Sequence, residues 1–258
     1  GGNLARLIGV LVLFSCSFTY VVAQVYGTGL ISARFLGIDF NVAVYVGLAG
    51  ILVCSMLGGM RAVTWTQVAQ YIVMIIAYLI PAIWMSTVKT GVPIPQLMYG
   101  QALENITALE AAQNIANGHI VPFVHGGYNA LNFFLLIFCL MVGTASLPHV
   151  LMRYFTTPSV REARVSVAWS LLFIFILYFT APAYAAFAKW TMLDLVASGL
   201  TPDNIAEKAG WLLRWAAADN ALVQICGKAA VDVAAITAAC AEQGVTTIGF
   251  ANINLNAD

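Results

Sequence analysis

The sequence predicts an all-α integral membrane protein built on five transmembrane helices. Three observations carry that prediction. Apolar residues make up 61% of the 258-residue chain and charged residues only 9%, where soluble domains run to about a quarter charged. The apolar residues gather into continuous runs long enough to cross a hydrocarbon core of about 30 Å as helices. Those runs lack the period-two alternation of barrel strands. Eleven basic and eleven acidic side chains cancel, so no net positive charge points to nucleic acid.

The first span covers residues 7–32, with Gln24 its only strongly polar side chain and Gly27 and Gly29 loosening its far end. Residues 34–39 make a short turn. The second span, 40–57, is rich in small residues (Gly47, Ala49, Gly50) and ends at Gly58-Gly59, since paired glycines accept turn geometries that other residues avoid. The third span, 68–85, carries Pro81 near its end. A polar connection from Ser86 to Tyr128 follows, with a short helix expected from Ala102 to Ala116. The fourth span, 129–155, is apolar as far as Val142, meets Gly143-Thr144-Ala145-Ser146 and then Pro148-His149, and closes on Arg153. Pro148 has no N–H to give and clashes with the preceding turn, and Gly143 withdraws side-chain support. The pair predicts a helix that breaks inside the bilayer, where freed backbone is tolerated only against protein or a water-filled cavity. Interrupted spans point to a solute pathway; a plain proline kink near the helix end is the alternative. The fifth span, 165–188, contains Pro182. Residues 1–192 are thus the transmembrane bundle, and residues 193–258 form a loop outside it with a short amphipathic helix. The opening Gly1-Gly2 and the odd number of spans predict a piece of a longer chain.

Lys and Arg near the span ends set the orientation. One side collects Arg6, Arg61, Arg153, Arg161 and Arg164, and the other Arg34, Lys89 and Lys189. The first side is therefore expected to be cytoplasmic, with the N-terminus inside, the C-terminal loop outside, and the whole in a bacterial-type inner membrane. In that loop Thr201-Pro202-Asp203 is a helix-start signal. Ile205, Ala209, Leu212 and Ala216 then repeat at helical spacing, which suits a cap on the bundle or membrane surface, or a lid. Cys226 and Cys240 fall fourteen positions apart in the same loop. On an oxidising face they either form a disulfide or stay two thiols.

No catalytic constellation is evident, and an enzyme is not expected. His119, His125 and His149 are not paired at helical spacing with a carboxylate, so no metal site is expected here. No phosphate-binding glycine loop occurs, and no cofactor is implied. The polar groups at membrane depth are Gln24, Gln67, Gln70 and the segment from Gly143 to Ser146. Gln24 either ties two helices together or faces solute. An unwound backbone at Gly143–Ser146 would offer carbonyls to a cation. A half-helix beginning at Pro148 would offer N–H groups and a positive dipole end to an anion.

Two stretches resemble one family. Gly58 to Gln67, reading GGMRAVTWTQ, is similar to the GGMxAVxWTD junction of the sodium:solute symporter family, and Gly143 to Phe155, reading GTASLPHVLMRYF, resembles its G-x-x-x-x-P-H-x-x-x-R-F segment. The AQVYGTGL of the first span fits as well, and the resemblance covers Leu4 to Trp190. It implies part of a LeuT-like inverted-repeat fold, with the five spans as core helices three to seven. It also implies a secondary-active symporter taking sodium or a proton inward with a small organic solute. Core helices one and eight, which hold the family's main sodium site, are absent from the piece. Carried over by motif position, Gln24, Gly143, Thr144 and Ser146 would bind solute, and Pro148, His149 and Arg153 would line the inner gate or vestibule. Gly143 stands where sugar-binding relatives place an aromatic ring. Gln67 stands where many members carry an Asp tied to an extra cation or ion relay. Both departures resemble the acetate and short-monocarboxylate branch. An amino acid, pyruvate or another small solute is the alternative cargo, and a membrane sensor fronting a signalling kinase is the alternative role.

Overall fold

The computed structural model describes residues 2–115, 119–121, 129–147, 156–217 and 223–255. Hydropathy decides where its helices exist, and glycines and capping side chains decide where they stop. Helix α1 (Asn3–Leu36) runs past its apolar stretch at both ends. It stops at Gly37, whose φ of 65° is left-handed and whose N–H donates to Ala33 O at 3.0 Å. Asp39 opens α2 (Phe40–Gly59) by accepting the Asn41 N–H at 2.9 Å, a short-side-chain cap. At Gly59 φ is 54° and ψ −160°, a combination open almost only to glycine. Helix α3 (Arg61–Thr90) begins at once and passes through Pro81. The link expected between the second and third spans is therefore helical, and Gly59 alone makes the turn.

Helix α4 (Tyr99–Ala112) lies in the connection, starting three residues earlier and ending four earlier than expected. Helix α5 (Ala130–Ser146) starts from Asn129, whose Oδ1 accepts the Asn132 N–H at 2.8 Å. Helix α6 (Val160–Ala197) follows Ser159, whose hydroxyl accepts the Glu162 N–H at 3.2 Å, and contains Pro182. Helices α1, α2, α3 and α6 are long and apolar enough to cross a membrane, and α5 is an apolar helix of 17 residues. Among the described residues, four of the five expected spans are thus helices of full length, and the fourth is seen as α5 as far as Ser146, with residues 148–155 outside the described residues. Their apolar side chains face outward, with Leu57 85% and Met56 81% exposed. Surface of that kind is an aggregation hazard in water and the ordinary outer face of a helix in lipid. The chain is a multi-pass membrane protein.

By residue contacts the chain divides into two units, residues 1–73 with 192–258, and residues 74–191. In the first unit α1 and α2 approach through glycine. A Cβ on Gly29 would collide with Val44 Cγ2, and one on Gly47 would stand 2.7 Å from Thr28 Cγ2. Small residues let membrane helices pack this closely. The polar C-terminal stretch carries the unit's core: Leu200, Ile205, Ala209, Leu212, Ala216, Val223, Ile225, Ala230, Ile236 and Ile248 are buried around Cys226 and Cys240. The stripe expected on one amphipathic helix is divided between α7 (Ile205–Lys208) and α8 (Gly210–Ala216), and it faces this core rather than a membrane.

Strands β1 (Gln224–Ile225), β2 (Lys228–Ala229) and β3 (Ile253–Asn254) form a small antiparallel sheet in the order β2-β1-β3, with Ile225 opposite both Lys228 and Ile253. Cys226 and Gly227, at φ of 50° and 73°, make the two-residue turn between β1 and β2, the backbone that right-twisted hairpins prefer. Helix α9 (Val233–Glu242), capped by Asp232, brings Cys240 onto that turn, and the two cysteines are bonded with their Cα atoms 5.3 Å apart. Gln243 Nε2 donates to Cys226 O at 2.7 Å and ties down the same turn.

In the second unit Ala82 of α3, Ala102 and Ile106 of α4, and Ala183, Ala186 and Phe187 of α6 are buried. Gln96 Nε2 donates to Thr180 Oγ1 at 2.7 Å, and Tyr78 stacks on Tyr184 with ring centroids 5.2 Å apart. Lys189 of α6 pairs with Glu110 of α4, which is 3% exposed, and the Lys89 ammonium lies 5.5 Å over the Trp190 ring.

Candidate functional site

Gln24 lies on α1 among residues that repeat every four positions. Gln24, Thr28 and Ser32 form a polar stripe, and with Ala23, Gly27 and Ile31 they line an open groove of about 520 Å³. The Thr28 hydroxyl donates to Gln24 O at 2.9 Å, which spends its proton on the helix and leaves the oxygen as an acceptor. Its methyl group seats against Gly47. The Gln24 side chain is exposed and brings both an amide donor and a carbonyl acceptor. Thr28 and Ser32 were not singled out from sequence. The signal was the i, i+4, i+8 spacing from Gln24, which puts all three on one face.

Gly143, Thr144 and Ser146 lie in the last turn of α5, all exposed. The expected unwound segment is helical here, and the change of direction comes one residue after Ser146. Leu147 is extended, at φ −61° and ψ 124°. Its N–H reaches Thr144 O at 3.4 Å, and the Ser146 hydroxyl donates to Gly143 O at 3.0 Å. A residue before proline is pushed out of the helical region in this way, and residue 148 is Pro. The carbonyls of a last turn carry the negative end of the helix dipole, so what α5 presents at this point suits a cation or a hydrogen-bond donor. Pro148, His149 and Arg153, and with them the start of any second half-helix, lie outside the described residues. Gln24 belongs to the first unit and Gly143, Thr144 and Ser146 to the second.

Gln67 is half-buried and Gln70 exposed, both on α3. In the connection, the Glu110 carboxylate accepts the His119 N–H with both oxygens, at 3.0 and 2.9 Å, besides its contact with Lys189. Burial pushes this carboxyl up, but the Lys189 ammonium and the His119 N–H outweigh it and hold it below the ordinary carboxylate range. Among the described residues no three His, Cys, Asp or Glu side chains gather as a metal site would need.

The family profile of the sodium:solute symporters matches residues 1–239. An uncharacterised symporter of Cupriavidus necator is 35% identical over a stretch covering 85% of this chain and 45% of its own. A monocarboxylic acid transporter of Corynebacterium glutamicum is 32% identical, covering 60% of this chain and 30% of its own. The uncharacterised symporter YwcA of Bacillus subtilis is 27% identical, covering 76% and 38%. The chain spans less than half the length of these relatives. No solved structure matches it.

Proposed function

The chain belongs to the sodium:solute symporter family, and on that premise we propose that it forms part of a secondary-active symporter that carries a small monocarboxylate of the acetate class into the cell. The coupling ion is sodium or a proton. The observation that carries the solute class is the similarity to a monocarboxylic acid transporter. Gly143 is compatible with it: it offers no ring for a sugar to stack on, and among the described residues no atom lies within 4 Å of where its Cβ would stand. Gln24, Gly143, Thr144 and Ser146 contact the solute, with Gln24 donating its amide N–H to the carboxylate. Pro148, His149 and Arg153 stand at the inner gate. Five spans correspond to core helices three to seven of a LeuT-like inverted repeat, with the N-terminus cytoplasmic and the C-terminal stretch outside an inner membrane. The disulfide supports that orientation, since such bonds persist on the oxidising side.

The test is uptake of labelled acetate by right-side-out vesicles carrying the whole symporter of which this chain forms part, with an inward sodium gradient, an inward proton gradient, or neither. Accumulation that collapses when one gradient is dissipated is the expected result. Counts at background under both gradients reject the carboxylate reading. Thr144→Trp, at an exposed position on the last turn of α5, is expected to abolish accumulation while the protein still inserts. Unaltered uptake by that variant would mean the solute site lies elsewhere.

A further inference from the structure

Within the first unit, Arg34 and Arg214 line one pocket of about 190 Å³, together with Ala33, Gly37, Ile38 and Ala217. We propose that this pocket is a carboxylate-capture site, where two guanidinium groups hold a small organic anion at the membrane face before it reaches the transport pathway. The inference rests on the carboxylate reading above for its choice of ligand.

Each arginine has a local explanation, because each lies in the last turn of its helix, α1 or α8, where a cation complements the dipole. That explains two separate residues but not their convergence. Two fixed positive charges on one small pocket repel each other, and among the described residues neither is paired with a carboxylate. Asp39, next in sequence to Ile38, turns its carboxylate to the Asn41 N–H at the start of α2. Lys208, also in the C-terminal stretch, spends its ammonium on Ser198 O at 2.8 Å. Asp219 lies outside the described residues.

The geometry of Arg34 adds direction. Its guanidinium carbon sits 5.8 Å over the Trp215 ring, within cation–π range, and the group brings five N–H donors in a rigid fork. A fork of that kind matches a carboxylate with two parallel hydrogen bonds. The walls are small and apolar at Ala33, Gly37 and Ala217, which leaves room for a short chain and keeps water from competing on that side. Drug-sized ligands need roughly 300–1,000 Å³; this volume suits a short carboxylate.

Labelling by phenylglyoxal, mapped peptide by peptide, tests the site without transport. In phosphatidylcholine nanodiscs, acetate should slow modification of both Arg34 and Arg214, and the neutral analogue acetamide should not. Arg214 is exposed, so Arg214→Gln leaves the fold intact, and Arg34→Lys keeps the charge while losing the fork. Arg214→Gln should raise the KM for acetate roughly fivefold with kcat unchanged, the worth of one surface charge contact, and Arg34→Lys should raise it by about as much, the worth of one hydrogen bond of the fork. Labelling indifferent to acetate, or protection only when phosphatidylglycerol is present, overturns the proposal. The carboxylate reading is judged apart. Uptake by the unmodified protein with no protection at these arginines sinks the pocket alone, and protection without uptake sinks the transport reading alone.

Discussion

Opening the Cys226–Cys240 bridge should loosen the C-terminal stretch by an amount that follows from its position. The bond spans 14 positions, and closing a loop of about 15 residues removes unfolded-state entropy worth about 3 kcal/mol. The buried cluster around Leu212, Ile225 and Ile236 is held by apolar contact rather than by the bond, so the stretch should still collapse on reduction but open more often. A cost of that size raises the open fraction about a hundredfold. Proteolysis follows that fraction when opening and closing are faster than cleavage. The assay is limited proteolysis of the full protein in right-side-out vesicles, before and after treatment with a membrane-impermeant phosphine. The double variant Cys226→Ser/Cys240→Ser serves as the reduced reference. Cys16, Cys54 and Cys139 are free and lie on α1, α2 and α5, so they add no bridge to reduce. Cleavage in the C-terminal stretch should speed up by about two orders of magnitude. An unchanged rate would mean that the apolar cluster alone holds the stretch. Acceleration only in inverted vesicles would reverse the proposed orientation.

Gly59→Ala should misalign α2 and α3 and cost about 1–3 kcal/mol, because φ 54° with ψ −160° suits almost only glycine; normal thermal stability in detergent would refute it. Gly29→Leu should separate α1 from α2, since even a Cβ there meets Val44 and Phe40, and overpacking costs about 1–3 kcal/mol; a cross-link between cysteines placed on the two helices should weaken. Lys189→Met leaves the Glu110 carboxylate buried without its cation and should cost about 3 kcal/mol at neutral pH. The folded carboxyl titrates below its ordinary value of 4.5, so the unmodified pair stabilises fully above that value and loses its effect as pH falls through the lower folded one. Hydrogen exchange in α4 reports this, and protection that is flat with acidification and identical in the variant would exclude the pair as an anchor.

The apolar runs were legible because each is long and the bilayer rewards nothing else. Their ends were not, because they are fixed by single residues rather than by hydropathy. Gly37 stops α1 four residues beyond the expected boundary, and Gly199, at φ 77°, follows the extension of α6 to Ala197. In the C-terminal stretch, periodicity identified the buried positions Ile205, Ala209, Leu212 and Ala216 correctly. It could not show that Ala209, at φ −133°, interrupts the helix, since a short break preserves the buried face. The three two-residue strands had no pattern long enough to read. The Arg34–Arg214 pocket was hidden because it joins positions 180 residues apart in sequence.

The fourth span shows why two helix breakers need weighing rather than counting. Gly143 lowers helix stability by about 1 kcal/mol relative to alanine. Unwinding at membrane depth strips backbone groups of partners at several kcal/mol each, so glycine alone is a weak reason to break a helix there. The residue before a proline is different, because Pro Cδ sterically disfavours its helical conformation. The outcome should be helix through Gly143 and extended backbone at Leu147, and that is the observed order. Seventeen residues rise about 26 Å, short of a hydrocarbon core of about 30 Å. A helix of that length entering at the headgroups ends before the far side, and its last carbonyls at Ala145 and Ser146 must find partners in protein, water or cargo.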